Sequence, residues 1–130
     1  MPDHPNAARY REMSAAMSNG DLDMAALAEG VADDVEWWEI GLSEPIRGKQ
    51  ALLERMQAWE GYAFKADLHD VVANDEHTIA LLDVTATRGD ESLDYRVAEI
   101  YHIDADGRVT HRWAFSDDTA AITDFFGQPG

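Results

Sequence analysis

The sequence predicts an α+β fold in which three N-terminal helices pack on one face of a curved, mainly antiparallel sheet. Three observations predict it. Apolar residues recur at helical spacing in the segments before Tyr62, four β-type runs separated by turn clusters fill the rest, and no repeat, linker or low-complexity stretch interrupts the order. At 130 residues the chain has the size of one domain, so residues 1–130 are read as a single unit.

The elements follow in order. From Asn6 to Ser18, Tyr10, Met13 and Met17 form a helical stripe, and Asn19-Gly20 supplies the stop. Asp21 is an N-cap for a short second helix with Leu22, Ala26 and Leu27 inward, fading near Gly30. Val35 to Ile40 is rich in β-branched and aromatic residues and predicts a strand with Val35, Trp37 and Glu39 on one face. Ser43-Glu44-Pro45 breaks it, and Gly48 to Trp59 predicts a third helix with Leu52, Met56 and Trp59 in a stripe. Turn clusters at Asn74-Asp75-Glu76, Arg88-Gly89-Asp90 and Asp104 to Gly107 then delimit strands near 64–73, 78–87, 93–103 and 108–115, each pairing antiparallel with the next. A last short helix from Asp117 to Gly127 is capped by Asp117 or Asp118 and anchored by Ile122, Phe125 and Phe126.

Composition narrows the function. The 26 Asp and Glu residues against 10 Lys and Arg give a formal charge of −16, which repels nucleic acid and anionic lipid surfaces. The absence of cysteine removes disulfides, thiolate nucleophiles and sulfur-built zinc sites, and fits a reducing compartment. The first residues carry neither a basic nor an apolar leader segment, and no run is long enough to cross a bilayer, so a cytoplasmic location is expected.

Val31-Ala32-Asp33-Asp34-Val35 before the first strand, Pro45-Ile46-Arg47-Gly48 before the third helix and Asp104-Ala105-Asp106-Gly107-Arg108 in the last hairpin, in this order and spacing, resemble the nuclear transport factor 2-like superfamily. The likeness is to its ketosteroid isomerase-like and SnoaL-like members and covers nearly the whole chain. It implies a cone-shaped cavity for a small apolar molecule, cofactor-free acid–base chemistry and a homodimer. The superfamily hosts many functions, so each residue needs its own argument.

Glu39 stands where a ketosteroid isomerase places its proton-shuttling base, and its neighbour Trp37 supplies an apolar wall; the alternative is a carboxylate wetted at a strand end. Glu99 matches the opposing acid. If the Asp104 to Gly107 turn sets the register, however, Glu99 lies directly opposite Arg112, forming an ion pair that orients substrate rather than donating a proton. The supporting tyrosines are replaced by Met13, Val31 and Met56, so no phenol network is expected there; Tyr10 lies one turn from the expected position, and Tyr62 and Tyr101 can contribute hydroxyls, but none falls where the family pattern places them. Steroid isomerisation is therefore not expected. By region, Asp117 and His69 are the counterparts of the acid and histidine of SnoaL-like cyclases, with a helix cap and a solvated edge residue as the alternatives. Asp83 with Arg96 or Arg112 echoes the Asp-Arg-Asp set of epoxide hydrolases.

The expected catalytic set is therefore Glu39, Glu99, Asp117 and His69, with Trp37, Met56, Trp59, Tyr62, Asp83, Tyr101 and Arg112 around the ligand. No metal is expected, because His102 and His111 fall on the face away from the cavity and lack a third fixed ligand. Trp113 on that outer face marks a dimer contact. The rival reading is a non-catalytic binding or dimerisation module on the same fold.

Overall fold

A computed structural model describes residues 4–19, 24–41, 43–58 and 61–126. Its elements run α1 (Pro5–Ser18), α2 (Met24–Glu29), β1 (Val31–Trp37), β2 (Ile46–Arg47), α3 (Lys49–Gln57), β3 (Ala63–Ala73), β4 (His77–Arg88), β5 (Glu91–Ile103), β6 (Val109–Ser116) and α4 (Thr119–Phe126). The six strands form one curled, open sheet in the order β2-β1-β6-β5-β4-β3. All neighbours are antiparallel except β1 and β6, which run parallel, so the sheet is mixed.

Local chemistry fixes the long strands. The Asn74 side-chain oxygen accepts from the backbone N–H groups of Glu76 and His77 at 2.9 and 2.8 Å and closes the β3–β4 turn. Gly89, at φ +60°, supplies the left-handed residue of the two-residue β4–β5 hairpin, in which Arg88 faces Glu91. The Asp104 carboxylate accepts from the N–H groups of Asp106 and Arg108 at 2.9 Å and shapes the β5–β6 turn. Strict alternation follows: Thr78, Ala80, Leu82, Val84 and Ala86 are buried on β4, while Ile79, Leu81 and Asp83 point out.

The inner face packs against the helices. Ala7 and Tyr10 of α1, Val35 and Trp37 of β1, Leu52 of α3, and Val97 and Tyr101 of β5 belong to one core cluster. α1 is pinned at both turns of the sheet: His4 contacts Asp75 at 2.8 Å, and the Arg9 guanidinium donates to the Gly107 carbonyl at 3.1 Å. α4 closes over the far end, with Ile122 buried and Phe126 stacked on Phe64 at 6.0 Å.

β1 begins at Val31 rather than Val35, and Glu39 falls beyond its end. The cause is a register shift between Val31 and Glu36 that lets the strand carry the exposed Asp33 and Asp34 at an irregularity while Val31 pairs with Val109. Ile46–Arg47, expected only as the approach to α3, adds a short edge strand on β1. The predicted stop at Gly20, the cap at Asp21 and the inward Leu22 lie outside the described residues.

Gly41 marks where the chain after β1 meets α4. Its φ is +87°, and a Cβ there would stand 2.6 Å from the Thr123 Oγ1. Gly41→Ala should therefore cost about 1–2 kcal/mol for the left-handed backbone, plus a steric increment. In thermal melts, adding Thr123→Ala should recover the steric part and leave the backbone part.

Candidate functional site

The inner face of β5 presents Tyr95, Val97, Glu99 and Tyr101 in alternation, and β6 presents Arg112 and Ala114 beside them. Glu99 and Arg112 form an ion pair, and both side chains are little exposed, at 13% and 12%. The register is not the one expected. Tyr101 pairs with Arg112, and Glu99 pairs with Ala114: the turn sets Ile103 opposite Val109, one residue from the expected register, and a one-residue bulge between His102 and Ile103 adds the second. An even shift keeps every side chain on its face, so Glu99 reaches Arg112 diagonally instead of directly across.

Tyr10 of α1 donates its hydroxyl hydrogen to Glu99 from across the interior. Arg112 donates to the Trp38 carbonyl at 2.9 Å, and its guanidinium lies 4.9 Å from the centre of the Trp37 ring. Its Nε is buried and has no hydrogen-bond partner among the described residues. Tyr101 adjoins both charges and packs against Tyr10 and Trp37 at 5.7 and 6.0 Å. A polar centre with two phenols thus exists, its hydroxyls coming from Tyr10 and Tyr101 rather than from the positions of Met13, Val31 and Met56.

Electrostatics fixes the protonation of these groups. Burial, followed by the nearby Tyr101 and Glu99 and the hydrogen bond to Glu99, pushes the Tyr10 phenol far up. Burial and then Glu99 do the same to Tyr101. Both stay neutral and act as donors. Burial pulls Arg112 down, but the Glu99 charge outweighs it, and the net displacement is upward. Tyr95 is pushed up to about 12, by burial and then by Glu99, with smaller effects from Arg112 and Glu39, so it lies within electrostatic reach of all three.

Glu39 sits beside this centre but is paired: Arg55 of α3 donates to it at 2.8 Å. Trp37 is buried beneath Arg112, and Met56 is half-buried against the core. Trp59 lies outside the described residues. Tyr62 is displaced from the centre: it stacks on Phe64 and Phe126, and its hydroxyl accepts from Arg88 at 2.8 Å. Asp83 points outward and pairs with Arg96 at 3.1 Å, on the face opposite Arg112, so the Asp83–Arg112 pairing does not form. His69 is exposed at the bulge of β3. Asp117 is exposed, and the cap of α4 is Asp118, which accepts from the Ala121 N–H at 3.1 Å.

A cleft of about 870 Å³ crosses the middle of β3, β4 and β5 between Ser18 at the end of α1 and Ala121 of α4. Ala66, Val84 and Tyr95 line it in one row across the strands. Lys65, Asp67, Asp83, Asp94 and Arg96 flank this row along the strands, with their side chains alternating to the outer face, and Asp117 and Asp118 border the cleft from the end of β6. Tyr95 is common to this cleft and to the charged centre.

The outer face carries a different cluster. His77, His102 and His111 stand side by side on β4, β5 and β6, with His77 and His102 ring centres 4.5 Å apart and Trp113 stacked on His111 at 5.5 Å. Val72 and Phe115 are exposed on the same face, at 57% and 58%. Among the described residues no group of three His, Asp or Glu is placed to hold a metal ion, and no helix is long and apolar enough to span a membrane.

Tyr95 is the residue sequence reasoning missed. Tyr95 shares the period-two alternation with Glu99 and Tyr101, which could have found it. Tyr10 lies one turn from the expected tyrosine position in the sequence, and only the packing of α1 on the sheet brings its hydroxyl to Glu99.

Solved structures share this fold. An LEH-like epoxide hydrolase of M. tuberculosis aligns over 96% of this chain and 90% of its own, with TM-score 0.74 and 22% identity. Bal32a, from a soil-derived mobile gene cassette, aligns over 94% and 96%, with TM-score 0.76 and 26% identity. A candidate SnoaL-like polyketide cyclase from Jannaschia sp. CCS1 aligns over 99% of both chains, with TM-score 0.72 and 14% identity. No curated protein matches the chain significantly. The SnoaL-like domain model matches residues 10–112, a span that includes Tyr10, Glu39, Tyr95, Glu99 and Arg112, and the chain therefore belongs to the SnoaL-like domain family.

Proposed function

We propose that this protein is a cofactor-independent acid–base enzyme acting on a small, largely apolar metabolite in the cone cavity, with Glu99 as the proton acceptor. One observation carries the reading: a carboxylate and a guanidinium are held together inside the fold, with a phenol of another element aimed at the carboxylate. Burying two charges costs several kcal/mol each unless hydrogen bonds offset it, and such pairs are concentrated at functional sites. An ion-paired carboxylate is a poor base toward carbon, but it can orient a water or hydroxyl and take its proton during attack. Hydrolase and cyclase chemistry therefore fits better than isomerisation. Arg112 fixes the carboxylate, and the neutral phenols of Tyr10 and Tyr101 supply hydrogen bonds.

The test is turnover of a panel of neutral epoxides and poly-β-ketones in ¹⁸O-water, with label incorporation and ring closure read by mass spectrometry. Glu99→Gln should lower the rate at least about a hundredfold with the fold intact by circular dichroism. Equal turnover by Glu99→Gln would remove Glu99 from the chemistry. The second reading, a non-catalytic binding module, is favoured by the guanidinium partners on both inner carboxylates, Glu39 and Glu99. Ligand binding by the wild type without turnover of any panel member would select it.

A further inference from the structure

We propose that His77, His102 and His111 form a proton-operated latch on self-association: with the imidazoles neutral, the outer face of the sheet docks on the same face of a second copy, and acid releases it. The outer face takes no part in the cavity reading above.

Register lays an apolar field on that face. Val72, Ile79, Ile100 and Trp113 form one row across β3 to β6. Leu81, Ala98 and Phe115 form the next. Val72, Ile79, Leu81 and Phe115 are exposed, and contiguous exposed apolar patches mark contact surfaces. The Asp83–Arg96 pair ends the field on one side, and the row of His77, His102 and His111 borders it on the other.

The occupant is a second copy. With strands about 4.8 Å apart and like-facing residues about 6.8 Å apart along them, four strands by three rows cover roughly 400 Å² in plan. An apolar core of that size with a polar rim reaches the ~800 Å² per partner of a standard dimer. Two chains of formal charge −16 repel wherever carboxylates meet, and the two apolar rows meet one only at their β3 end, where Asp70 stands opposite Leu81. A sheet face also packs well on a copy of itself.

The histidines set the condition for docking. Ring centres of His77 and His102 are 4.5 Å apart, and those of His102 and His111 are 5.6 Å apart. Burial, and then His77 and His111, push His102 below the ordinary histidine value, opposed by Glu76 of the β3–β4 turn. Glu36 of β1 lies 3.6 Å from His111, and Arg47 of β2 stands in register with Glu36. Of the turn carboxylates nearby, Asp75 is engaged with His4 and Asp104 with its own backbone amides. A second copy laid over the row excludes water, which favours neutral imidazole further, so the dimer binds fewer protons than two monomers. Its stability is full above the ordinary histidine pKa of about 6.5 and is lost as pH falls through and below it.

Sedimentation equilibrium of the full chain between about pH 7.5 and about pH 5.5 tests the latch. At micromolar concentration the wild type should be a dimer at the upper pH. Its Kd should rise about tenfold or more at the lower pH, as two or more imidazoles per dimer take up protons on release. Phe115→Glu, at an exposed position, should keep its circular dichroism and be monomeric throughout. His77→Gln, His102→Gln and His111→Gln combined should give a dimer whose Kd changes less than about twofold over the range. A pH response that persists in this triple variant belongs to the charge of the whole chain and overturns the latch, as does a wild-type dimer that tightens in acid or ignores it. A triple variant that is monomeric at the upper pH also overturns it, because the row would then act by contact rather than by charge. A wild type that is monomeric at the upper pH overturns the second copy as occupant and leaves the face to a different protein. A dimer undisturbed by Phe115→Glu overturns the choice of face.

Discussion

Arg112→Met should destabilise the protein by about 3–5 kcal/mol, read as a lower urea midpoint at unchanged slope. The size comes from what remains. Methionine fills much of the volume, but the Glu99 carboxylate keeps its enclosed position with only the neutral Tyr10 and Tyr101 phenols for partners, and the Trp38 carbonyl loses its donor. An unpaired charge in such a place costs far more than a missing apolar contact. Glu99→Leu in the same background should restore most of the loss, since no charge is then stranded. Recovery should stop short of complete, because the buried Tyr10 hydroxyl would have no acceptor. A loss below about 1 kcal/mol for Arg112→Met would mean that water reaches Glu99 freely, and the enclosed centre would have to be abandoned.

That pair also shows how far sequence reasoning carries. The four long strands end within two residues of their expected limits, because Asn74, Gly89 and Asp104 impose turn geometry through their own side chains or backbone freedom. The face shared by Glu99 and Arg112 follows from the period of two, which survives any even slip. Their ion pair formed as expected, but the directly opposite register did not follow, since a bulge at Thr110 between β5 and β6 leaves no mark in composition. β1 shows a related difficulty: Asp33 and Asp34 argue against a strand locally, and only the parallel neighbour β6 makes one there. Contacts between distant segments were the least legible. Nothing near Tyr10 in the chain announces Glu99, 89 residues on, and nothing near Glu39 announces that Arg55 rather than Met56 would turn toward it.

Trp37→Ala should cost about 3–5 kcal/mol, the range for removing a large buried aromatic side chain. Trp37 is 8% exposed, pairs in the sheet with Arg112 and carries the guanidinium over its ring. Two losses therefore combine: the cavity left by the indole, against which Tyr101 also packs, and the aromatic face that compensates a buried cation whose Nε has no partner. Trp37→Leu separates them. Leucine restores much of the apolar volume without a π face, so its residual cost, about 2 kcal/mol, measures the cation–ring contact with a smaller packing remainder. If Trp37→Leu and Trp37→Ala proved equally costly, the volume would be irrelevant and the cation–ring contact would account for the whole effect. If Trp37→Leu matched the wild type, Arg112 would be held by Glu99 and Trp38 alone. Because Arg112 positions Glu99, the same series also ranks the supports of the proposed proton acceptor: turnover should fall with the loss of Trp37 in the order Leu, then Ala, even where the variant remains folded.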